Sequence, residues 1–273
     1  MFTTFTRDRA GFAGDWHGNT GWALHCLDVF KSHDIYTIYQ VGDFGVWGGN
    51  DGASYLRKIN TRLNMNNQDL IVVPGNHENY DMLDKFPINE DGFMQRPDLD
   101  RIQFAPRGHV WHHNSARFAA MGGAFSIDKN MRTEGRSWWP QEAITPEDVE
   151  ALKRNLDKRL WLSVDVFLSH DIPAGVDVGH KAFGLPAELE YEANRQRVLL
   201  RHAVDYARPR TLVHGHWHKR IRQILIGDSH TDDSYTTQIY GLDMDVTQDN
   251  MIVADVAPFI GLYNVQVITG EPE

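Results

Sequence analysis

The stretch DLIVVPGNHENY, residues 69–80, is an apolar run that stops at a proline and a glycine and opens into the polar block Asn76, His77 and Glu78. A turn that only closed a strand would want the glycine and at most the asparagine. The imidazole and the carboxylate need another reason to stand there. The stretch therefore reads as a buried strand with polar groups of some use held at its carboxyl tip.

Working outward, the first half of the chain repeats this alternation. RAGFAG, IYTIYQVG and DLIVVPG read as strands, separated by the amphipathic NTGWALHCLDVFKSH and by a polar helical stretch around residues 53–64. Strands alternating with helices predict βαβ units. Asn19 caps the first helix, with Ala23, Leu24, Leu27 and Phe30 on its inner side. HVWHH, ARFAAMGG and VDVFLSH are further strands. Between the last two, TPEDVEALKRNLDKRLW opens with a capping Thr145, a proline at the first helical position and acids in the first turn. A Gly-rich loop, PAGVDVGHKAFGLP, leads into a long helix over AELEYEANRQRVLLRHAVDYA. Strands follow at RTLVHG, RIRQILIG, YTTQIYGL, MIVADVA and LYNVQVI, with the acidic turn GDSHTDD between two of them. No repeat or linker interrupts the pattern, so residues 1–273 read as one α/β domain.

Composition narrows what such a domain does. The chain has 273 residues, 41% of them hydrophobic and 23% charged, enough for a sizeable core. No apolar stretch approaches the roughly 18 to 20 residues of a membrane span, and the N-terminus lacks a basic-then-apolar signal pattern. The expectation is a cytoplasmic protein. A single cysteine, Cys26, excludes an intramolecular disulfide and a thiolate metal cluster, so a bound metal must be held by nitrogen and oxygen. The formal net charge of −10 argues against extended nucleic acid as a partner, because non-specific binding to it draws on clustered Lys and Arg.

Other strands end as the opening one does. Asp15 and His17 follow the first, Asp43 the second, His170 stands after VDVFLS, and His216 and His218 follow RTLVHG. Open α/β sheets gather ligand sites at that edge. In an extended segment residues two apart share a side, so Asp15 with His17, and His216 with His218, each converge on one place. Trp16 and Trp217 then point away and read as packing residues.

Taken in order, Asp15-Trp16-His17, Gly42-Asp43, Gly75-Asn76-His77, His170 and Gly215-His216-Trp217-His218 resemble the DxH, GD, GNH, H and GHxH signature of the calcineurin-like metallophosphoesterases. The resemblance runs from residue 15 to residue 218. It implies a four-layer sandwich, two central mixed β-sheets flanked by helices, around a two-metal centre. One metal is implied at Asp15, His17 and His218, the other at Asn76, His170 and His216, with Asp43 bridging them. His77 stays off the metals as the catalytic group facing substrate. Glu78 reads equally as a helix-start acid or a functional group. The implied reaction is hydrolysis of a phosphate ester by a metal-bridging hydroxide. Two divalent ions, two aspartates and that hydroxide leave about +1 at the centre, so an acidic protein can bind an anionic substrate. Three imidazoles and an amide suit Mn, Fe, Zn, Co or Ni better than Ca or Mg, and Mn is the first expectation.

The chain departs from the protein phosphatases of that superfamily. Where they carry GDxxDRG it reads GDFGVWGG, closer to small bacterial and bacteriophage members. The reading is a phosphodiesterase for small nucleotides or cyclic nucleotides. A monoesterase, a nuclease and a non-catalytic module with a degenerate centre are the alternatives, and the intact ligand set speaks against the last. The long polar segment 122–142 offers Arg132 and Arg136 to phosphate and Trp138 or Trp139 to a base. His112 and His113 read as surface residues, and His214 as a core group or a support for the centre. His25, His33, His180, His202 and His230 fit no pattern.

Overall fold

The computed structural model describes residues 8–179, 185–227 and 234–269. His180, His230 and most of the acidic turn lie outside the described residues. The elements in chain order are β1 (Arg9–Ala13), α1 (Thr20–Ser32), β2 (Thr37–Gln40), α2 (Gly49–Asn66), β3 (Asp69–Val72), α3 (Tyr80–Leu83), β4 (Ile102–Phe104), β5 (Val110–His113), β6 (Ala116–Met121), α4 (Pro146–Lys158), β7 (Val166–Ser169), α5 (Ala187–Ala207), β8 (Thr211–His214), β9 (Ile221–Ile226), β10 (Thr236–Gly241), β11 (Met251–Ala257) and β12 (Gly261–Val267).

The strands form two six-stranded sheets, ordered β12-β11-β1-β2-β3-β4 and β5-β6-β7-β8-β10-β9. Both are mixed: β1 through β4 run parallel while β11 and β12 are antiparallel, and β6, β7, β8 and β10 run parallel between antiparallel edges. Strand alternation builds the layers. On β3, Leu70 and Val72 face α1 and α2, whereas Ile71 and the following Val73 face the second sheet. On β6, Phe118 and Ala120 face the first sheet, whereas Ala119 and Met121 face α4 and α5. Strands covered on both faces must be apolar throughout, which is why these read as continuous hydrophobic runs. Phe12, Tyr39 and Phe118 stack across the middle interface with ring centroids 5.4 and 5.0 Å apart. The four-layer sandwich is the one expected.

The caps stand as predicted. Asn19 accepts from the Trp22 amide, and Thr145 and Asp148 form a reciprocal capping box. β4 and α3 were not anticipated. Three residues carry too little period, and one helical turn looks like the loop around it. His112 is exposed, but His113 turns inward to the Tyr39 hydroxyl at 3.0 Å. No helix among the described residues is long and apolar enough to cross a membrane.

Candidate metal centre

The carboxyl ends of β1, β2 and β3 in one sheet meet those of β7 and β8 in the other. Asp15, Asp43, Asn76 and His170 are all buried there. Two groups of acid and imidazole atoms converge, each with its ligand atoms within 4.8 Å: Asp15, His17 and His218, and Asp15, Asp43 and His170. Such overlapping nitrogen and oxygen sets fit two hard-to-borderline divalent ions side by side. Asn76 adjoins the second set, its Oδ1 lying 2.9 Å from His170 Nε2. His216 belongs to neither group. Its ring stands beside that of His170, centroids 5.0 Å apart, and its backbone N–H donates to both Asp15 oxygens at 3.2 Å.

The backbone corrects one expectation. His17, His216 and His218 lie past their strands with φ of 46°, 66° and 47°, and Asp43 has φ of 50°. Side chains therefore converge through left-handed turns rather than through strand alternation. His218 turns to the His17 ring, centroids 5.0 Å apart, while His216 turns to His170, so the two histidines of one motif part company. Non-glycine residues enter this region at a cost, and its concentration here marks a site. The motif glycines have a plain steric reason. A Cβ on Gly42 would sit 2.0 Å from His170 Nδ1, and one on Gly215 would sit 2.1 Å from Asp15 Oδ1.

Two of the imidazoles are aimed by partners outside the ligand set. His170 Nδ1 donates to the Val41 carbonyl at 2.8 Å, leaving Nε2 to face Asp43 Oδ1 at 3.4 Å. His17 Nδ1 donates to Asp245 Oδ1 at 2.9 Å, leaving Nε2 toward Asp15 and Asp43; Asn19 holds the other Asp245 oxygen at 2.8 Å. Such partners fix tautomer and ring orientation at metal sites. Burial opposes the charge on both His170 and Asp43, but their mutual attraction overrides it. Asp43 falls well below the usual carboxylate range and His170 is pushed up to about 10. His218 is raised by its hydrogen bond to Asp15, with 3.1 Å between Nε2 and Oδ2.

Asn76 is held from the other side. Its Nδ2 donates to Ser126 Oγ at 3.0 Å; Glu142 in turn engages the Ser126 hydroxyl and amide, both at 2.8 Å. Glu78 resolves as a backbone clamp. Fully buried, it accepts from the amides of Phe44, Gly45 and Val46 at 2.7, 3.1 and 2.7 Å and so fixes the turn that carries Asp43. His77 stands at the edge of the cluster, its Nε2 3.8 Å from Asp43 Oδ2 and 3.3 Å from Asn76 Nδ2. Its amide donates to Asp43 Oδ1 at 2.9 Å, while its ring lines an open cleft of about 610 Å³. Burial depresses its pKa.

That cleft is also lined by His17, Trp47, Asn79, Arg132, Arg136 and Trp139. Both arginines of the 122–142 segment thus reach it, whereas half-buried Trp138 does not line it. Trp139 takes its place, itself buried with its indole N–H on Asp81 at 3.0 Å. Trp16 is fully buried against Phe44, and Trp217 packs with its N–H on Asp171 at 2.8 Å, both structural as predicted. Asp245, Ser126, Glu142 and Trp47 were not foreseen. Asp245 reaches the centre only through a tertiary contact, whereas Ser126 and Glu142 lie in the 122–142 segment and Trp47 in the GDFGVWGG stretch, where the letters do not single them out.

Comparison with known proteins agrees with this geometry. Residues 9–220 match the calcineurin-like phosphoesterase family. No curated protein sequence matches the chain. Among solved structures, TT1561 of Thermus thermophilus superposes with a TM-score of 0.50 at 10% identity, covering 90% of this chain and 93% of that one. A dimetal phosphatase from Danio rerio gives 0.51 at 14% identity, covering 90% and 92%. A family match over most of the chain, on a fold those structures share, makes this protein a member of the calcineurin-like phosphoesterases.

Proposed function

We propose that this phosphoesterase is a dinuclear metal-dependent phosphodiesterase for small nucleotides or cyclic nucleotides, working with Mn in the cytoplasm. The observation that carries the reading is the buried Asp15, common to two converging ligand groups, with buried Asp43 in the second of them, beside an open cleft. Asp15, His17 and His218 would hold one ion, and Asn76, His170 and His216 the other, with Asp43 between them. When bound, the two ions supply Lewis acidity and an activated water at neutral pH. His77, at the edge of the ligand cluster and lining the cleft, is placed to give a proton to the leaving alkoxide.

The charge in direct contact with the His77 ring fits a diester. Arg132 is the guanidinium nearest its ring, 3.4 Å from Nη2 to Nε2, and is already paired with Asp128 at 2.7 Å. A dianionic monoester wants uncommitted positive charge, whereas a monoanionic diester needs less. Hydrolysis of bis-p-nitrophenyl phosphate beside p-nitrophenyl phosphate, with Mn, with chelator and with Asp43→Ala, tests this. Mn-dependent diester turnover that disappears in the variant is expected. Preference for the monoester would replace the reading with a monoesterase, and inertness toward both esters with every divalent metal would overturn it.

A further inference from the structure

Trp47 is a large aromatic residue left 40% exposed at the mouth of a polar site. It is not loose. Its indole N–H donates to the His77 carbonyl at 2.9 Å, and the ring lies so close to Gly18 that a Cβ there would meet it at 2.5 Å. One part of the indole is thus pinned beside His17 and His77, and the exposed part opens onto the cleft of about 610 Å³. Sharing that lining with it are Arg132, Gly135, Arg136 and Ser137. Arg132 is spent on Asp128. Arg136 is exposed and has no ion pair among the described residues.

From this arrangement we infer that the cleft is a nucleotide subsite. Trp47 is the platform on which a planar base stacks, and Arg136 is the cation for a phosphate beyond the one at the centre. The inference rests on the phosphoesterase reading and names its substrate class: an ester carrying a base and a further anionic group. A ring fixed at one edge loses little freedom when a base stacks on it, and stacking tolerates every base because each has a π-face. A guanidinium outside the ligand cluster adds attraction for the distal phosphate without altering the charge at the centre.

Calorimetric binding to the Mn-loaded protein tests the inference apart from turnover. AMP and ribose 5-phosphate differ only in the base. Wild type is expected to bind AMP about ten-fold or more tightly than ribose 5-phosphate. Trp47→Phe and Trp47→Leu both lose the bond to the His77 carbonyl, so their comparison isolates the ring. The AMP advantage should persist in the Phe variant and shrink toward unity in the Leu variant. Arg136→Ala should cut the preference for ADP over AMP several-fold. Equal binding of AMP and ribose 5-phosphate, equal ratios in the two Trp47 variants, or no detectable AMP binding overturns the platform. An ADP preference untouched by Arg136→Ala overturns the role of that cation. Turnover of bis-p-nitrophenyl phosphate without an AMP advantage sinks this inference alone; an AMP advantage without turnover of either nitrophenyl ester sinks the esterase reading alone.

Discussion

The floor of the centre and the rim of its cleft are built in opposite ways. On the floor four of the candidate ligands have a partner outside the set: Val41 for His170, Asp245 for His17, Ser126 for Asn76, and the Glu78 clamp under the Asp43 turn. At the rim, Trp47 and Arg136 are exposed, and a Cβ on Gly135 would meet nothing within 4 Å. Chemistry requires atoms held to fractions of an ångström, so the floor is over-determined. Recognition tolerates adjustment, and the Gly135–Arg136 side of the rim is left free to make it, while Trp47 stays fixed on the His77 carbonyl. Disturbing the floor should therefore change whether the reaction runs, and disturbing the rim should change only what it runs on.

The sharpest way to break that distinction is His77, which belongs to both regions. His77→Gln should lower kcat by about 10²–10⁴ while metal content, read by elemental analysis, stays at the wild-type level. A loss of metal with the activity would place His77 wholly on the floor.

Glu142 tests the floor through pH. Burial holds its carboxyl up at about 7, against an ordinary value near 4.5. The folded protein keeps a proton that the unfolded chain releases, so this stabilisation is full below pH 4.5 and is lost as pH rises through 7. The change is up to about 3 kcal/mol. Chelator-treated Glu142→Gln should lack that part of the decline, as measured by urea unfolding from pH 4.5 to 8. Parallel stability profiles for variant and wild type would show that Glu142 is ionised throughout.

Asp245→Ala should weaken metal binding by about 10–100-fold, since the carboxylate that orients His17 is gone. Competition against a fluorescent chelator reads this directly, and unchanged affinity would mean that His17 is held by packing alone. The smallest effect belongs to the rim. Arg132→Ala should alter KM by less than about tenfold and leave kcat nearly unchanged, because its partly exposed pair with Asp128 contributes only about 1 kcal/mol. A collapse of kcat would move Arg132 into the chemistry.

The same contrast governs how much was legible beforehand. The ligands could be read because a metal centre requires Asp, Asn and His, and parallel strands require those residues just beyond an apolar run. Residues 76 and 170 announce themselves by standing at such ends. Their turns could not be read, since nothing in the letters distinguishes a left-handed His216 from an extended one. Asp245 lies 228 residues from the histidine it orients, and Ser126 lies 50 from its asparagine. Partners at such distances depend on how the two sheets dock. Trp138 and Trp139 were equivalent as letters. Packing against the first sheet chose Trp139 for the lining and left Trp138 outside it.

That separation along the chain also sets an order of events. Asp15 and His218 share one ligand group although 203 residues lie between them (218 − 15), and His17 waits on a carboxylate farther on still. Contacts that close loops of such length form late, after local helices and neighbouring strands have been made. A chain emerging from the ribosome thus carries its early ligands exposed and unassembled until the second sheet has been synthesised and docked. Metal capture by the complete set of candidate ligands would then be a post-synthetic step, with the ion acting as a lock on a finished fold.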